Sequence, residues 1–148
     1  MGITVSREIR YGVISCLVGT VAMDLVAAVE YLLTGQPLDT SFVLYGALIG
    51  GGVTVGLVLH ALFGAMLGIL FGVTVSRFDA FRIDSVRKAL WDGVLAGLIT
   101  IPLGCVPFAV LVGVPLTTMI PFVTAPHLVW GLVMGRFMGY FLIEYDAS

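Results

Sequence analysis

Charge is what this chain has least of. Seven Lys and Arg with nine Asp and Glu make up 11% of 148 residues, against about 25% in an ordinary soluble domain. So few charges cannot cover a water-facing surface. With 59% hydrophobic residues and a mean hydropathy of +1.13, the composition is that of an integral membrane protein. A net charge of −2 does not suggest a nucleic-acid partner. The two cysteines, Cys16 and Cys105, lie in separate apolar runs with no CxxC spacing. That excludes a zinc or dithiol motif and leaves two buried thiols. Walker A, G-x-S-x-G and H-E-x-x-H sequences and a Gly-rich dinucleotide loop are also missing. Almost no chain remains outside the apolar runs for a soluble active site, so the expectation is a protein that is not an enzyme. The opening MGITVSREIR is polar and the first apolar run is too long for a signal-peptide core, so no cleaved leader is expected.

What is there is apolar length. A membrane span takes about 20 residues. Tyr11 to Leu33 is the first. Phe42 to Val75 is apolar for 34 residues, which as one helix would run about 50 Å at 1.5 Å per residue, beyond a core about 30 Å thick. Gly50-Gly51-Gly52 breaks it. The second span is therefore 53–75, and Phe42 to Ile49 reads as a short outer segment, interfacial or re-entrant. Leu90 to Val112 is the third span, with Pro102 and Pro107 expected to kink it. The fourth is 121–143, with Pro126 suited to a first helical turn. The expected fold is a single all-α membrane domain over 1–148, with four transmembrane helices as two tandem parallel-repeat hairpins.

Arg7 and Arg10 precede the first span; Arg77, Arg82, Arg87 and Lys88 join the second to the third. The other two connections contain no Lys or Arg. Arg136 lies about two turns from the end of the fourth span and can snorkel to the same side. The positive-inside rule then predicts a plasma-membrane protein with both termini cytoplasmic. Tyr11, Trp91, Tyr140 and Tyr145 at inner ends, and Tyr31 and Tyr45 at outer ends, read as aromatic belts.

The chain also repeats itself. Gly12-Val13 opens the first span and Gly93-Val94 the third. The outer turns read GQPLDT, from Gly35, and GVPLTT, from Gly113, both G-x-P-L-x-T. Then come HALFGAMLGILFG from His60 and HLVWGLVMGRFMG from His127. Repeat one covers about 11–76 and repeat two about 90–143, the first carrying about 11 extra residues before its histidine. A pseudo-twofold axis along the membrane normal should relate the halves and put the two histidines at one depth. At this level of pattern the chain resembles small four-span prokaryotic membrane proteins built from a duplicated two-helix unit with an H-xxx-G-xxx-G motif. The resemblance implies the fold and no activity. Six Arg to one Lys points to a GC-rich genome such as that of a halophilic archaeon.

Spacing of four puts Gly56, His60, Gly64, Gly68 and Gly72 on one ridge, and His127, Gly131, Gly135 and Gly139 on its counterpart. Small residues at that spacing let backbones approach closely in lipid. The first functional reading is therefore a structural or accessory subunit, or a small homo-oligomer, packed through these ridges within or between chains. Its second and fourth spans would cross ridge to ridge. Its partners would be the lipid bilayer and other membrane subunits or itself. An alternative is that His60 and His127 supply both axial ligands of haem b, with the glycines making room for the porphyrin edge. Two ligands are too few for a zinc site. A third reading starts from Asp24, a carboxylate near mid-span that must be paired, protonated or wet. Its depth is within about 5 Å of both histidines. An Asp24–His contact would fix the ring tautomer and give a proton- or ion-coupled carrier a group that titrates near neutral pH. Glu30, nearer the interface, is expected to be solvated. Arg136 is a snorkelling anchor, with lipid or partner contact as the alternative. The loop RFDAFRIDSVRK is read as a positive-inside connection, or else a short helix on the inner surface.

Overall fold

The computed structural model describes residues 2–145. It has five α-helices: α1 (Gly2–Thr34), α2 (Thr40–Ala47), α3 (Val53–Arg77), α4 (Val86–Leu111) and α5 (Leu116–Gly139). A 3-10 turn at Asp79–Phe81 joins α3 to α4, and a π-helical turn, Tyr140–Tyr145, extends α5. Among the described residues there is no strand. Four helices are long and apolar enough to cross a bilayer, so the chain is an all-α, multi-pass membrane protein. One end of the bundle carries the basic loop between α3 and α4; the opposite, far end carries the two G-x-P-L-x-T turns and α2.

Local chemistry sets the ends. Ser85 Oγ accepts from the Lys88 N–H at 3.3 Å and caps α4. Gly35 (φ 69°) and Gly113 (φ 78°) follow α1 and α4 in the left-handed conformation that ends helices. Beyond these turns the halves part. After Gly113 the chain enters α5 at once, with Pro115 as the cap. The expected start at Pro121 or Pro126 is corrected: both prolines lie inside α5, as Pro102 and Pro107 lie inside α4. A membrane helix tolerates the missing N–H groups because neighbouring helices and polar side chains meet the freed carbonyls. After Gly35 the chain makes α2 and turns back through Gly50 (φ 71°). Gly51 N–H donates to Gly46 O at 2.8 Å. A methyl on Gly46 or Gly56 would strike backbone of the other arm, so α2 lies directly on the start of α3.

The helix pairing corrects the expected centre of the bundle. The glycine ridges of α3 and α5 do not meet. Each packs against the first helix of its own hairpin, α3 on α1 and α5 on α4, and the hairpins join through α1 and α5. A methyl on Gly68 would sit 2.6 Å from Val13 Cα, and one on Gly72 2.5 Å from Glu8 O. On α5, a methyl on Gly131 would lie 2.9 Å from the Gly93 carbonyl carbon, and one on Gly135 3.1 Å from Leu90 Cα. The reason is that α1 and α4 carry their own small residues on the facing sides: Gly12 and Thr20, then Ala89, Gly93 and Gly97. Two small stripes let backbones touch. The Gly12/Gly93 equivalence slips by a turn in these contacts. Gly12 meets Gly68 and Gly72, while Gly93 meets Gly131 and Gly135, the counterparts of Gly64 and Gly68 by count from the histidines.

Between the hairpins, a methyl on Gly19 would meet Trp130 O at 2.9 Å. Cys16 Sγ lies 3.1 Å from Met134 Sδ, and both side chains are fully buried. Tyr11 stacks on Phe141 with centroids 4.8 Å apart. A pseudo-twofold would require a matching contact between α3 and α4. No extended one is made, and a cleft separates those helices. The basic loop is not a surface helix: Ile83 is drawn into a cluster with Val75, Ala89 and Met138, because the loop offers this large aliphatic side chain directly beneath the α3–α4–α5 end.

The close contacts are expected to fail in a graded way. Gly68→Leu and Gly135→Leu should each cost more than the roughly 1–3 kcal/mol of ordinary overpacking, because backbone rather than a side chain must move. Gly52→Ala, whose methyl meets nothing within 4 Å, should stay within about 0.5 kcal/mol. Thermal unfolding of the three variants in one detergent measures this, and equal stability would contradict the packing.

Candidate functional site

The register of α1 on α3 builds the polar centre. Thr20 is the residue that a methyl on Gly64 would strike, at 2.6 Å from its Oγ1. One turn further along each antiparallel helix come Asp24 and His60. They meet: Asp24 Oδ1 lies 3.3 Å from His60 Nε2. The His60 side chain is 6% exposed and that of Asp24 30%, so the carboxylate has the wetter position.

The rest of the His60 ring is enclosed by α2. Tyr45 packs against it edge to face with centroids 4.6 Å apart, and Phe42 at 5.9 Å. Tyr45 also meets Phe108 of α4 at 5.1 Å. His60 Nδ1 is buried with no hydrogen-bond partner among the described residues. α2 is held in place by its contact with α3 and by a 2.5 Å hydrogen bond between Tyr31 Oη and Ser41 Oγ. Neither tyrosine was marked by sequence beyond the aromatic belt. The signal that was available is the Gly50-Gly51-Gly52 reversal, which must return Phe42 and Tyr45 to the level of His60.

His127 enters the same cavity from α5. Its Nδ1 lies 2.8 Å from the Val123 carbonyl oxygen. A carbonyl only accepts, so Nδ1 donates, and in the neutral ring Nε2 is left as an acceptor. Nε2 faces Gly104 of α4, where an added methyl would come no closer than 3.8 Å. Asp24, His60 and His127 line one cavity of about 70 Å³, walled by Tyr45, Cys105 and Phe108 among others. This is room for a handful of waters. Toward the far end a wider vestibule of about 290 Å³ shares Tyr31, Leu44, Phe122 and Val123 with it and reaches Gln36, Thr40 and Thr118. Chemically this is an acid–base pair with a second imidazole, in a cavity that shares walls with a mainly apolar vestibule toward one end.

The residues do not fit a bis-histidine haem b. His60 Nε2, the atom that would ligate iron, is engaged by Asp24, and the space between the rings is a fraction of a porphyrin. The glycines that were to make room for its edge are filled by α1 and α4. The other candidates lie elsewhere. Gly56, Gly64, Gly68 and Gly72 are buried in α3, and Gly131, Gly135 and Gly139 in α5. Arg136 pairs with Glu144 at 3.3 Å and lies 5.9 Å from the Tyr140 ring centre, so its charge is met within the chain. Glu30 is half-buried rather than solvated, with Oε2 unpartnered.

The pair should show itself as a coupling energy. Asp24→Leu alone leaves His60 with two unpaired nitrogens, so it should cost more than the same change made in a His60→Leu background. A double-mutant cycle by unfolding in mixed micelles is expected to give about 0.6–1.7 kcal/mol, the range of interhelical polar pairs in membranes. Strict additivity would mean that the two groups do not interact. Compared with known protein families, curated proteins and solved structures, the chain has no significant match.

Proposed function

We propose that this is a non-enzymatic membrane protein that binds and releases a proton at Asp24–His60, with His127 as the second base of the site, and that works as a small proton-linked carrier. The observation that carries the reading is the 3.3 Å contact of an acid and a base from different helices, in a cavity that shares walls with the far-end vestibule. A carboxylate at mid-depth is stable only when paired or protonated, so a proton arriving there changes its whole energetic situation. The Asp24–His60 contact fixes the orientation of the imidazole beside the carboxylate.

The ridges argue against assembly as their purpose. In an accessory subunit or homo-oligomer joined by glycine, the ridges would stay available to another chain, whereas here α1 and α4 occupy them. The bilayer is the partner this reading requires. All the basic residues from Arg7 to Lys88 lie at one end, which supports a plasma-membrane protein with both termini cytoplasmic. The vestibule then opens outward and the proton enters from outside.

Reconstituted into liposomes with a trapped pH-sensitive dye, the wild type is expected to collapse an imposed pH gradient. Asp24→Asn, which keeps the shape and removes the titrating group, should slow this by about tenfold or more, while Glu30→Gln should not. A wild-type rate equal to that of protein-free liposomes would overturn the proposal.

A further inference from the structure

A wide cleft lies between α3 and α4. It measures about 340 Å³, within the range of about 300–1,000 Å³ typical of small-molecule sites. Its walls are apolar: Phe63, Met66 and Leu70 from α3, with Leu103 and Pro107 from α4. Toward the basic end it continues into a second hollow of about 180 Å³ that reaches Trp130. Two neighbouring spans in the chain thus stand apart over much of their length, where membrane helices normally close on one another.

The deep end of the cleft is not apolar. Tyr45, Gly104, Phe108 and His127 line both the cleft and the cavity that holds Asp24 and His60. Gly104 is the opening between them. It has no side chain, its φ is ordinary, and an added methyl would meet only His127 Nε2. That nitrogen already has its tautomer set, because Nδ1 donates to Val123 O at 2.8 Å. It is left as an acceptor beside Gly104, where cleft and cavity share walls, and no hydrogen bond to it is found among the described residues. An acceptor at the closed end of a hydrocarbon slot selects one kind of molecule: a long apolar tail with a head that donates a hydrogen bond. An acid head is disfavoured by the Asp24 carboxylate in the adjoining cavity, which leaves a hydroxyl or an amine.

We infer that the α3–α4 cleft is a lateral binding site for a membrane-dissolved, single-chain amphiphile with a hydroxyl or amine head, which enters from the bilayer and donates to His127 Nε2 through the gap at Gly104. The inference rests on the proton-linked reading in one respect, since it names the solute class whose movement the Asp24–His60 proton would drive. Binding itself needs no transport.

The test uses the two tryptophans of the chain. Trp91→Phe leaves Trp130, buried beside the cleft, as the only reporter. The protein in nanodiscs is titrated with a long-chain alcohol brominated along its chain, the corresponding amine, and the bromoalkane of the same length. Alcohol or amine should quench Trp130 saturably at about a tenfold lower mole fraction than the alkane, a factor that one buried hydrogen bond supplies. His127→Leu should bring it up to the value of the alkane. Gly104→Leu should close the gap and remove the head-group preference while thermal unfolding stays that of the parent. Equal quenching by all three probes would reduce the cleft to ordinary lipid contact, and a head-group preference that survives His127→Leu would also overturn the assignment. A preference that is present and lost in His127→Leu, together with unchanged proton flux in Asp24→Asn, would keep the cleft and reject the proton-linked reading.

Discussion

Everything in this fold depends on backbone meeting backbone at glycine. Lipid tails are as apolar as leucine, so a membrane helix gains nothing from burying leucine against leucine; it gains from dispersion at close approach. α3 and α5 meet that condition with glycines spaced by four after each histidine, and α1 and α4 answer with Gly, Thr or Ala on the facing sides. The two hairpins are therefore closed by contacts in which even one methyl has no place. The join between them is of another kind, with larger and softer side chains: Cys16 on Met134, and Trp130 over Gly19. Methionine fills irregular gaps well, which suits a seam between two units whose helices do not run in matching stripes.

This division of labour positions the polar groups. Because α1 locks onto α3 through Gly12, Gly64, Gly68 and Gly72, the register between Asp24 and His60 follows from contacts made one and more turns away. Because α5 locks onto α4, His127 arrives beside Gly104 rather than against His60. And because each ridge is satisfied within its hairpin, nothing draws α3 onto α4. The cleft is a by-product of where the small residues lie, and α2 covers its upper end through Tyr45 and Leu48.

The four spans, the break at Gly50-Gly51-Gly52 and the two glycine-ended turns were all legible in the sequence, because each rests on a local rule: hydropathic length, or a φ that only glycine takes easily. The ridges were legible as contact surfaces, but their partners were not. Counting only glycines leaves α3 and α5 as the natural pair. Counting Thr20 and Ala89 as small residues restores α1 and α4 as the complementary stripes. Depth along the helices brought Asp24 to the level of both histidines and could not choose between them; the choice is made by the Thr20–Gly64 contact, which is tertiary. Tyr45 and Phe42 escaped for a similar reason. A reversal after α2 was readable, whereas the rings that it would lay on His60 depend on how closely Gly46 approaches Gly56. The symmetry inferred from the duplicated motifs failed at the same level, since one inserted helix and a one-turn slip suffice to let the hairpins meet on one side only.

Asp24 is the residue the packing explains least. α1 is already held on one side by the contacts of Gly12 and Thr20 with α3, and on the other by Cys16 and Gly19 with α5. A leucine at this position would cost the fold no glycine contact and would remove a carboxylate that is expensive at such depth. Nor does His60 need the acid for enclosure, since Phe42 and Tyr45 already surround the ring and its Nδ1 has no hydrogen-bond partner among the described residues. A half-satisfied polar pair is worse for stability than an apolar pair of the same shape. Asp24 and His60 therefore stand where stability argues for neither, in a cavity that shares walls with both the far-end vestibule and the α3–α4 cleft. We propose that this carboxylate, which the glycine contacts do not require, is there for the proton exchange at Asp24–His60.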